Sequence, residues 1–266
     1  MKINSIKTKN IQLYIVGCGP GDKELLTLKA FKIITSAKTI LYDNLVDNEV
    51  LNLANSDCLK VYVGKKPYQT STTQQEINDL IKFYALSRGN VVRLKGGDPY
   101  IFGRGFEEFA FAQENGIEAT YIPGISSMQS CGLYDIPLTH RGISEGLWVI
   151  TGTRKDESLS TDLHLAVQSK STVVIYMGMN KLEEISQIYS QAGKGSVQAC
   201  IIENGSLPNQ RKIICKAEDL KMAASAEGLG NPAIIVIGSV VGLANDDKKI
   251  LSNVGNTDKD SYIIKY

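Results

Sequence analysis

No apolar run in the sequence approaches the roughly 20 residues that a membrane-spanning helix needs, so nothing points to an integral membrane protein. Histidine is scarce: only His140 and His164 occur. Neither lies near a Cys, His or acidic residue at metal-ligand spacing, and no metal site is expected. The five cysteines, Cys18, Cys58, Cys131, Cys200 and Cys215, are odd in number and include no CxxC pair. That pattern argues against a disulfide framework and for buried thiols. Neither sign of charge is in excess, since 29 Lys and Arg face 28 Asp and Glu. A chain so balanced has no overall field to draw it to nucleic acid or to an anionic membrane. The first residues, MKINSIKTKNIQ, are polar and lack the apolar stretch of a secretory signal, so a cytoplasmic location is expected.

What is present is an ordinary globular balance over 266 residues, 43% hydrophobic and 21% charged, enough for two domains with separate cores. Short apolar runs alternate with helical patterns. LYIVG (13–17), TILYD (39–43), LKVYVG (59–64), NVVRLK (90–95) and IEATYI (117–122) read as strands. Between them, residues 22–37 carry a helical apolar stripe opened by Asp22. Residues 72–89 read as a helix with threonine at its start, Glu76 in its first turn and Gly89 as its stop. Residues 106–116 form a third helical pattern. This order predicts an α/β fold with a mostly parallel, doubly wound sheet. A second series follows: LWVITG (147–152), TVVIYMG (172–178), VQACIIENG (197–205) and PAIIVIGSV (232–240). QRKIICKAEDL (210–220) reads as a strand paired locally with its neighbour, which makes the second sheet mixed. The expected organisation is an α/β domain over 11–123, a second over 124–243, and a loosely ordered polar tail over 244–266.

Glycine turns stand where the strands end: GCGPGD (17–22), VGKKPYQTST (63–72), KGGDPYIFGRG (95–105), YMGMN (176–180) and ENGSLP (203–208). In open α/β sheets, ligands bind beyond the carboxyl ends of the strands. The first turn does not suit a dinucleotide. Its glycines fall at 17, 19 and 21, Pro20 removes an N–H, and Asp22 and Glu24 occupy the helix start where a pyrophosphate would sit. No Gly-Lys-Ser/Thr is present for a P-loop. A glycine turn flanked by acids suits an uncharged or cationic ligand. S-adenosylmethionine, a sulfonium without phosphate, is one.

VGCGPGDKELLTLKA (16–30) and VVRLKGGDPYIFGRG (91–105) together resemble the two signature segments of the tetrapyrrole methyltransferases. LYDNLV (41–46), VYVGKK (61–66), PGISS (123–127), IPLTHRG (136–142), VVIYMGM (173–179) and IENGSLPNQR (202–211) extend the likeness over about residues 11–243. The resemblance implies two α/β domains with S-adenosylmethionine in the cleft between them, and a homodimer. It implies two successive C-methylations of uroporphyrinogen III to give precorrin-2, on the branch toward sirohaem and cobalamin. The alternative is a sister enzyme acting on a later precorrin. The chain is too short for the dehydrogenase–ferrochelatase module that some relatives carry, so the methyltransferase alone is expected.

Carried over by position, the cofactor contacts implied are Pro20, Gly96, Gly97, Asp98, Ile101, Ser126, Ser127, Met177 and Gly205. Asp98 would meet a positive amino group or the sulfonium, or else cap the turn that follows it. Met177 would touch the cofactor or simply fill core. The family's acid–base pair maps onto Asp43 and Lys65: Asp43 to accept a proton, Lys65 to donate one or bind a carboxylate. Their alternatives are a turn cap and an exposed lysine. The tetrapyrrole carries eight carboxylates, and Arg93, Arg104 and Arg141, with Lys66, are the cations available for them. Arg93 lies on a strand that reads as buried, where an unpaired charge would be costly.

Overall fold

Each apolar run of the amino-terminal half becomes a parallel strand in the computed structural model, which describes residues 11–64 and 72–245. The strands are β1 (Gln12–Gly17), β2 (Thr39–Tyr42), β3 (Leu59–Tyr62), β4 (Val91–Lys95) and β5 (Glu118–Ile122). They form one sheet in the order β3-β2-β4-β1-β5, and every neighbouring pair is parallel. Parallel strands covered on both faces read as continuous apolar runs, which is why no alternation marks them in the sequence. The helices are α1 (Leu28–Ser36), α2 (Asn48–Leu51), α3 (Gln74–Arg88) and α4 (Gly105–Glu114). Ala30 and Ile34 of α1 and Val50 and Leu51 of α2 pack with Val16, Ile40, Val92 and Leu94 on one face. Ile77, Ile81 and Ala85 of α3 and Ala112 of α4 pack with Leu13, Ile15, Leu41 and Val91 on the other. The central neighbours β1 and β4 are therefore followed by helices on opposite faces, and their loops part at the carboxyl edge, the place where α/β sheets hold ligands.

The second sheet contains β6 (Leu147–Thr151), β7 (Thr172–Tyr176), β8 (Gln198–Glu203), β9 (Arg211–Lys216) and β10 (Ala233–Ile237), in the order β6-β7-β10-β8-β9. β6 and β7 are parallel. Gly238 N donates to Gln198 O and Asn204 N to Pro232 O, so the end of β10 meets the start of β8 and the reverse. These two strands are antiparallel. Ala217 N donates to Val197 O, and Arg211 pairs with Glu203, which makes β8 and β9 an antiparallel hairpin. The sheet is mixed, as the local pairing of 210–220 predicted. The helices α5 (Asp162–Ala166), α6 (Leu182–Gln191) and α7 (Leu220–Ala226) accompany it.

One expectation needs correction. The single helix over 22–37 is a 3-10 turn, Lys23–Leu25, followed by α1. Leu26 is extended (ψ 142°), and Thr27 restarts the chain as a new cap, its Oγ1 accepting from Ala30 N at 3.1 Å. The join between the two units falls after Ser130, with Ile202–Lys212 and Leu229–Ile234 returning to the first unit. The reason is packing that no local signal carries: Asp22 N donates to Ser206 Oγ at 3.0 Å, and Gly205 lies against Ser130. Most of the tail over 244–266 lies outside the described residues.

The start of α3 follows its sequence signature closely. Thr73 Oγ1 accepts from Glu76 N at 3.2 Å, and the Glu76 carboxylate accepts from Thr73 N at 2.6 Å. Replacing Thr73 by alanine is expected to destabilise the fold by about 1 kcal/mol. Urea unfolding should show a lower midpoint with an unchanged slope.

Candidate active site

Three backbones meet at the carboxyl edge of the first sheet. Gly17 ends β1, Gly97 follows β4, and Gly124 follows β5. A Cβ on Gly17 would lie 2.6 Å from Gly124 N and 2.7 Å from Gly97 O. A Cβ on Gly124 would lie 2.3 Å from Gly97 O. No side chain fits at either position. Gly97 N donates to Gly19 O at 2.7 Å and Gly19 N donates to Gly97 O at 3.2 Å, tying the first turn to the KGGDP turn. The sequence separates these glycines by up to 107 positions and shows only that each stands at a strand end.

The helix start after the first turn is already capped. Asp22 Oδ1 accepts from Glu24 N at 2.8 Å, and Thr27 serves the next helix. Two of the donors that a pyrophosphate would use, Glu24 N and Ala30 N, are taken by the chain's own oxygens. Gly96 has a different neighbour: a Cβ there would lie 2.6 Å from the Leu45 Cβ, and Leu45 itself is 56% exposed. Pro20 is half-buried in the first turn.

Asp98 is placed otherwise than a direct ligand would be. It is 8% exposed, and three protein donors use its oxygens: Tyr100 N at 2.8 Å, Tyr121 hydroxyl at 2.6 Å and Gly124 N at 3.1 Å. Burial, together with the Asp98 bond, pushes the Tyr121 hydroxyl up from its ordinary value. Tyr100 stacks on Tyr121 with ring centroids 4.0 Å apart. Asp98 thus anchors the loop after β4 to the loop after β5, and its turn-capping alternative fits the Tyr100 contact. Beyond it Ile101 is exposed, and Phe102 and Arg104 take positive φ of 55° and 56°. Met177, Asn204 and Ser206 do the same at 53°, 51° and 73° in the turns after β7 and β8. Non-glycine residues avoid this region, so its use in loops beyond strand ends marks backbone held against local preference.

Under the same edge lies a buried group of charges. Arg93 and Lys95 alternate with Leu94 on β4, so both point to the face that α4 covers. Glu108, fully buried on α4, has its Oε1 3.2 Å from Arg93 Nε and 3.1 Å from Lys95 Nζ. Arg93 Nη2 donates to Asp43 Oδ2 at 2.9 Å, and Arg93 Nη1 to Leu94 O at 2.6 Å. Burial alone would lower the Arg93 pKa, but Glu108 and Asp43 outweigh it and hold the guanidinium charged. Lys95 goes the other way: burial and the neighbouring Arg93 bring it below its ordinary value despite Glu108. Burial, with the Asp43 charge adding to it, pushes the Cys18 thiol up to about 12, so it is an inert thiol.

This arrangement corrects the expectation for Arg93. At 2% exposure, with three donors committed inside the protein, it has no face for a substrate carboxylate. Asp43 is the partly open member of the group, its side chain 24% exposed, with Oδ1 accepting from Leu45 N. Arg104 is exposed and forms a two-pronged pair with Glu107, at 2.9 and 2.6 Å. Ser126 is buried, and Ser127 lies against Gly97, its Oγ 3.3 Å from where a Cβ there would stand. Gly205 has no room for a side chain against Ser130. Met177 and Arg141 belong to the second unit. Met177 is 50% exposed rather than core, its carbonyl accepting from Thr153 Oγ1, and Arg141 is exposed. Lys65 and Lys66 lie outside the described residues. Among the described residues, no group of three His, Cys, Asp or Glu is placed to hold a metal.

Sequence reasoning missed Glu108, Lys95 and Tyr121. One signal was available: Arg93 and Lys95, two apart on a strand, must share a face, and two buried cations require an acid. FEEFAFA carries two candidates, and helix packing selects the second.

The model for Tetrapyrrole (Corrin/Porphyrin) Methylases matches residues 12–221. A uroporphyrinogen-III C-methyltransferase of Bacillus subtilis is 40% identical over 233 residues, 86% of this chain and 91% of its own. The chloroplastic S-adenosyl-L-methionine-dependent uroporphyrinogen III methyltransferase of Arabidopsis thaliana is 42% identical over 239 residues, 87% of this chain and 64% of its own. The chain spans about half the length of the siroheme synthases it also matches. Among solved structures, a Thermus thermophilus uroporphyrin-III C-methyl transferase complexed with S-adenyl homocysteine superposes with TM-score 0.75 and 37% identity, covering 87% of this chain and 99% of that one.

The close approach of the three glycine backbones is directly testable. Gly124→Ala is expected to cost about 1–3 kcal/mol through forced overpacking. Thermal unfolding of the purified variant would show it, and a melting temperature equal to the parent's would contradict the contact.

Proposed function

Because the chain belongs to the tetrapyrrole methylase family, we propose that it is an S-adenosylmethionine-dependent C-methyltransferase that methylates uroporphyrinogen III twice to give precorrin-2. The observation that carries this reading is the convergence of the glycine turns at one sheet edge, the edge where β2 ends in a partly open carboxylate, Asp43, held by a buried arginine. The Bacillus and Thermus relatives, covered almost from end to end, support the substrate.

The residues fit the cofactor. Turns closed to side chains at Gly17 and Gly124, with Gly97 packed against both, shape a cradle, and the self-capped helix start suits a ligand without phosphate. Pro20, Gly96, Gly97, Ile101, Ser126, Ser127 and Gly205 of the first unit would hold it, and Asp98 would set the loops that do so. Met177 enters by the resemblance, its exposed side chain being free to touch a ligand. When bound, S-adenosylmethionine supplies a methyl group on a sulfonium and leaves as S-adenosylhomocysteine.

The chain's own work is positioning and proton removal. A macrocycle that gains a methyl group at a ring carbon must lose a proton, and the Asp43 carboxylate is placed to accept it. Arg93 keeps that carboxylate oriented. Arg104 and Arg141 would bind substrate carboxylates. The exposed Arg104–Glu107 pair is worth at most about 1 kcal/mol, so exchanging Glu107 for a substrate carboxylate is cheap. Lys65 completes the acid–base pair by the resemblance alone. A cytoplasmic location belongs to the same proposal, and no helix among the described residues is long and apolar enough to cross a membrane.

The test is an anaerobic incubation with uroporphyrinogen III and methyl-labelled S-adenosylmethionine, read by mass. A gain of two methyl groups is expected, with Asp43→Asn lowering kcat about 100-fold or more. Absence of transfer with the cofactor still bound would move the substrate to a later precorrin. A homodimer is also proposed. Sedimentation equilibrium should give twice the 29.0 kDa chain mass, and a monomer at micromolar concentration would refute it.

A further inference from the structure

Glu108 is buried completely, yet only one of its oxygens is used. Oε1 receives Arg93 Nε, Lys95 Nζ and, at 3.4 Å, Gln74 Nε2. Oε2 is buried without a partner among the described residues. An acid retained only for stability would be better satisfied, and buried ion groups are in any case a poor means of stabilising a fold. What the arrangement does achieve is orientation. Three contacts in three directions fix the Arg93 guanidinium: Glu108 at Nε, Leu94 O at Nη1 and Asp43 at Nη2. A planar fork so held leaves its Nη2 bond no freedom to swing. Asp43 Oδ2 takes that bond, and Leu45 N takes Oδ1 at 3.1 Å.

Charge supports the same reading. Asp43 and Glu108 are balanced by Arg93 and Lys95, so the group is neutral as a whole. Lys95 stands beside Arg93 on the strand and offsets the second acid without touching Asp43 itself. Cys18, the other titratable side chain under the field of Asp43 and Arg93, stays a neutral thiol. Among the described residues Glu108 is the one acid at Arg93 Nε, so that end of the guanidinium is set by Glu108.

We propose that Glu108 is a positioning residue: through Arg93 it holds the Asp43 carboxylate in one orientation at the end of β2, ready for the macrocycle proton. This rests on the reading of Asp43 as proton acceptor. The test compares Glu108→Gln, Asp43→Asn and the double variant by kcat, KM and calorimetric S-adenosylmethionine affinity, with circular dichroism to verify folding. Glu108→Gln is expected to keep cofactor affinity and KM within about threefold while kcat falls about 10- to 100-fold, the range that small misplacements of a reacting group produce. In the Asp43→Asn background the same change should have no further effect. Should Glu108→Gln fail to fold, Glu108→Asp keeps the charge but is one methylene too short to hold the same contact, and the same kcat loss is expected of it. Unchanged kcat in the folded Glu108 variant, or losses that multiply in the double variant, would overturn the inference while leaving Asp43 as base. Full activity of Asp43→Asn would instead overturn the reading of the base.

Discussion

The first unit depends on how closely its backbones approach at one edge of the sheet. Gly17, Gly97 and Gly124 lie near enough that a methyl group on Gly17 or Gly124 would overlap peptide atoms of a neighbour. The positions of three loops follow from this. The first turn is locked to the KGGDP turn by a pair of hydrogen bonds, and Asp98 ties the KGGDP turn to Gly124. The ENGSLP turn is added by Ser206, which receives the Asp22 amide. Loops on a sheet edge ordinarily move independently. Here each is tied to the next by a hydrogen bond to its backbone, so the edge is a preformed surface.

Beneath this surface the same strand that supplies the KGGDP turn carries two cations inward. Burying Arg93 and Lys95 would be prohibitive without acids, and Asp43 and Glu108 provide them from β2's end and from α4. The consequence is a division of labour along five residues of β4 and its turn. Leu94 packs in the core, Arg93 aims a carboxylate, Gly96 lets Leu45 come close, and Gly97 pairs with Gly19. The arginine that the sequence offers as a substrate contact is instead buried and committed to Asp43, Glu108 and Leu94 O. Arg104 and Arg141, by contrast, are exposed.

Strain is concentrated in the turns beyond the strand ends. Of the seven non-glycine residues with positive φ among those described, Phe102, Arg104, Met177, Asn204 and Ser206 lie in turns that the sequence marks as ligand loops. Such conformations persist only where surrounding contacts impose them. Those contacts are visible for several: the Arg104 turn is closed by Gly105 N on Pro99 O, and the Asn204 turn by Leu207 N on Asn204 O.

Strand runs, the Thr73–Glu76 cap and the glycine turns were all legible in the chain, because each is a local pattern whose physics involves neighbours a few residues apart. The exclusion of a pyrophosphate was legible for the same reason, since Asp22 and Glu24 stand within the turn itself. The break at Leu26 escaped because an apolar stripe hides a change in ψ. The partner of Arg93, the anchoring of Asp98 and the return of Ile202–Lys212 to the first unit were decided only by tertiary structure. Each joins residues that the chain keeps 15 or more positions apart, and what selects one acid, one amide or one turn over its equals is the space left when two helices and a sheet close on each other.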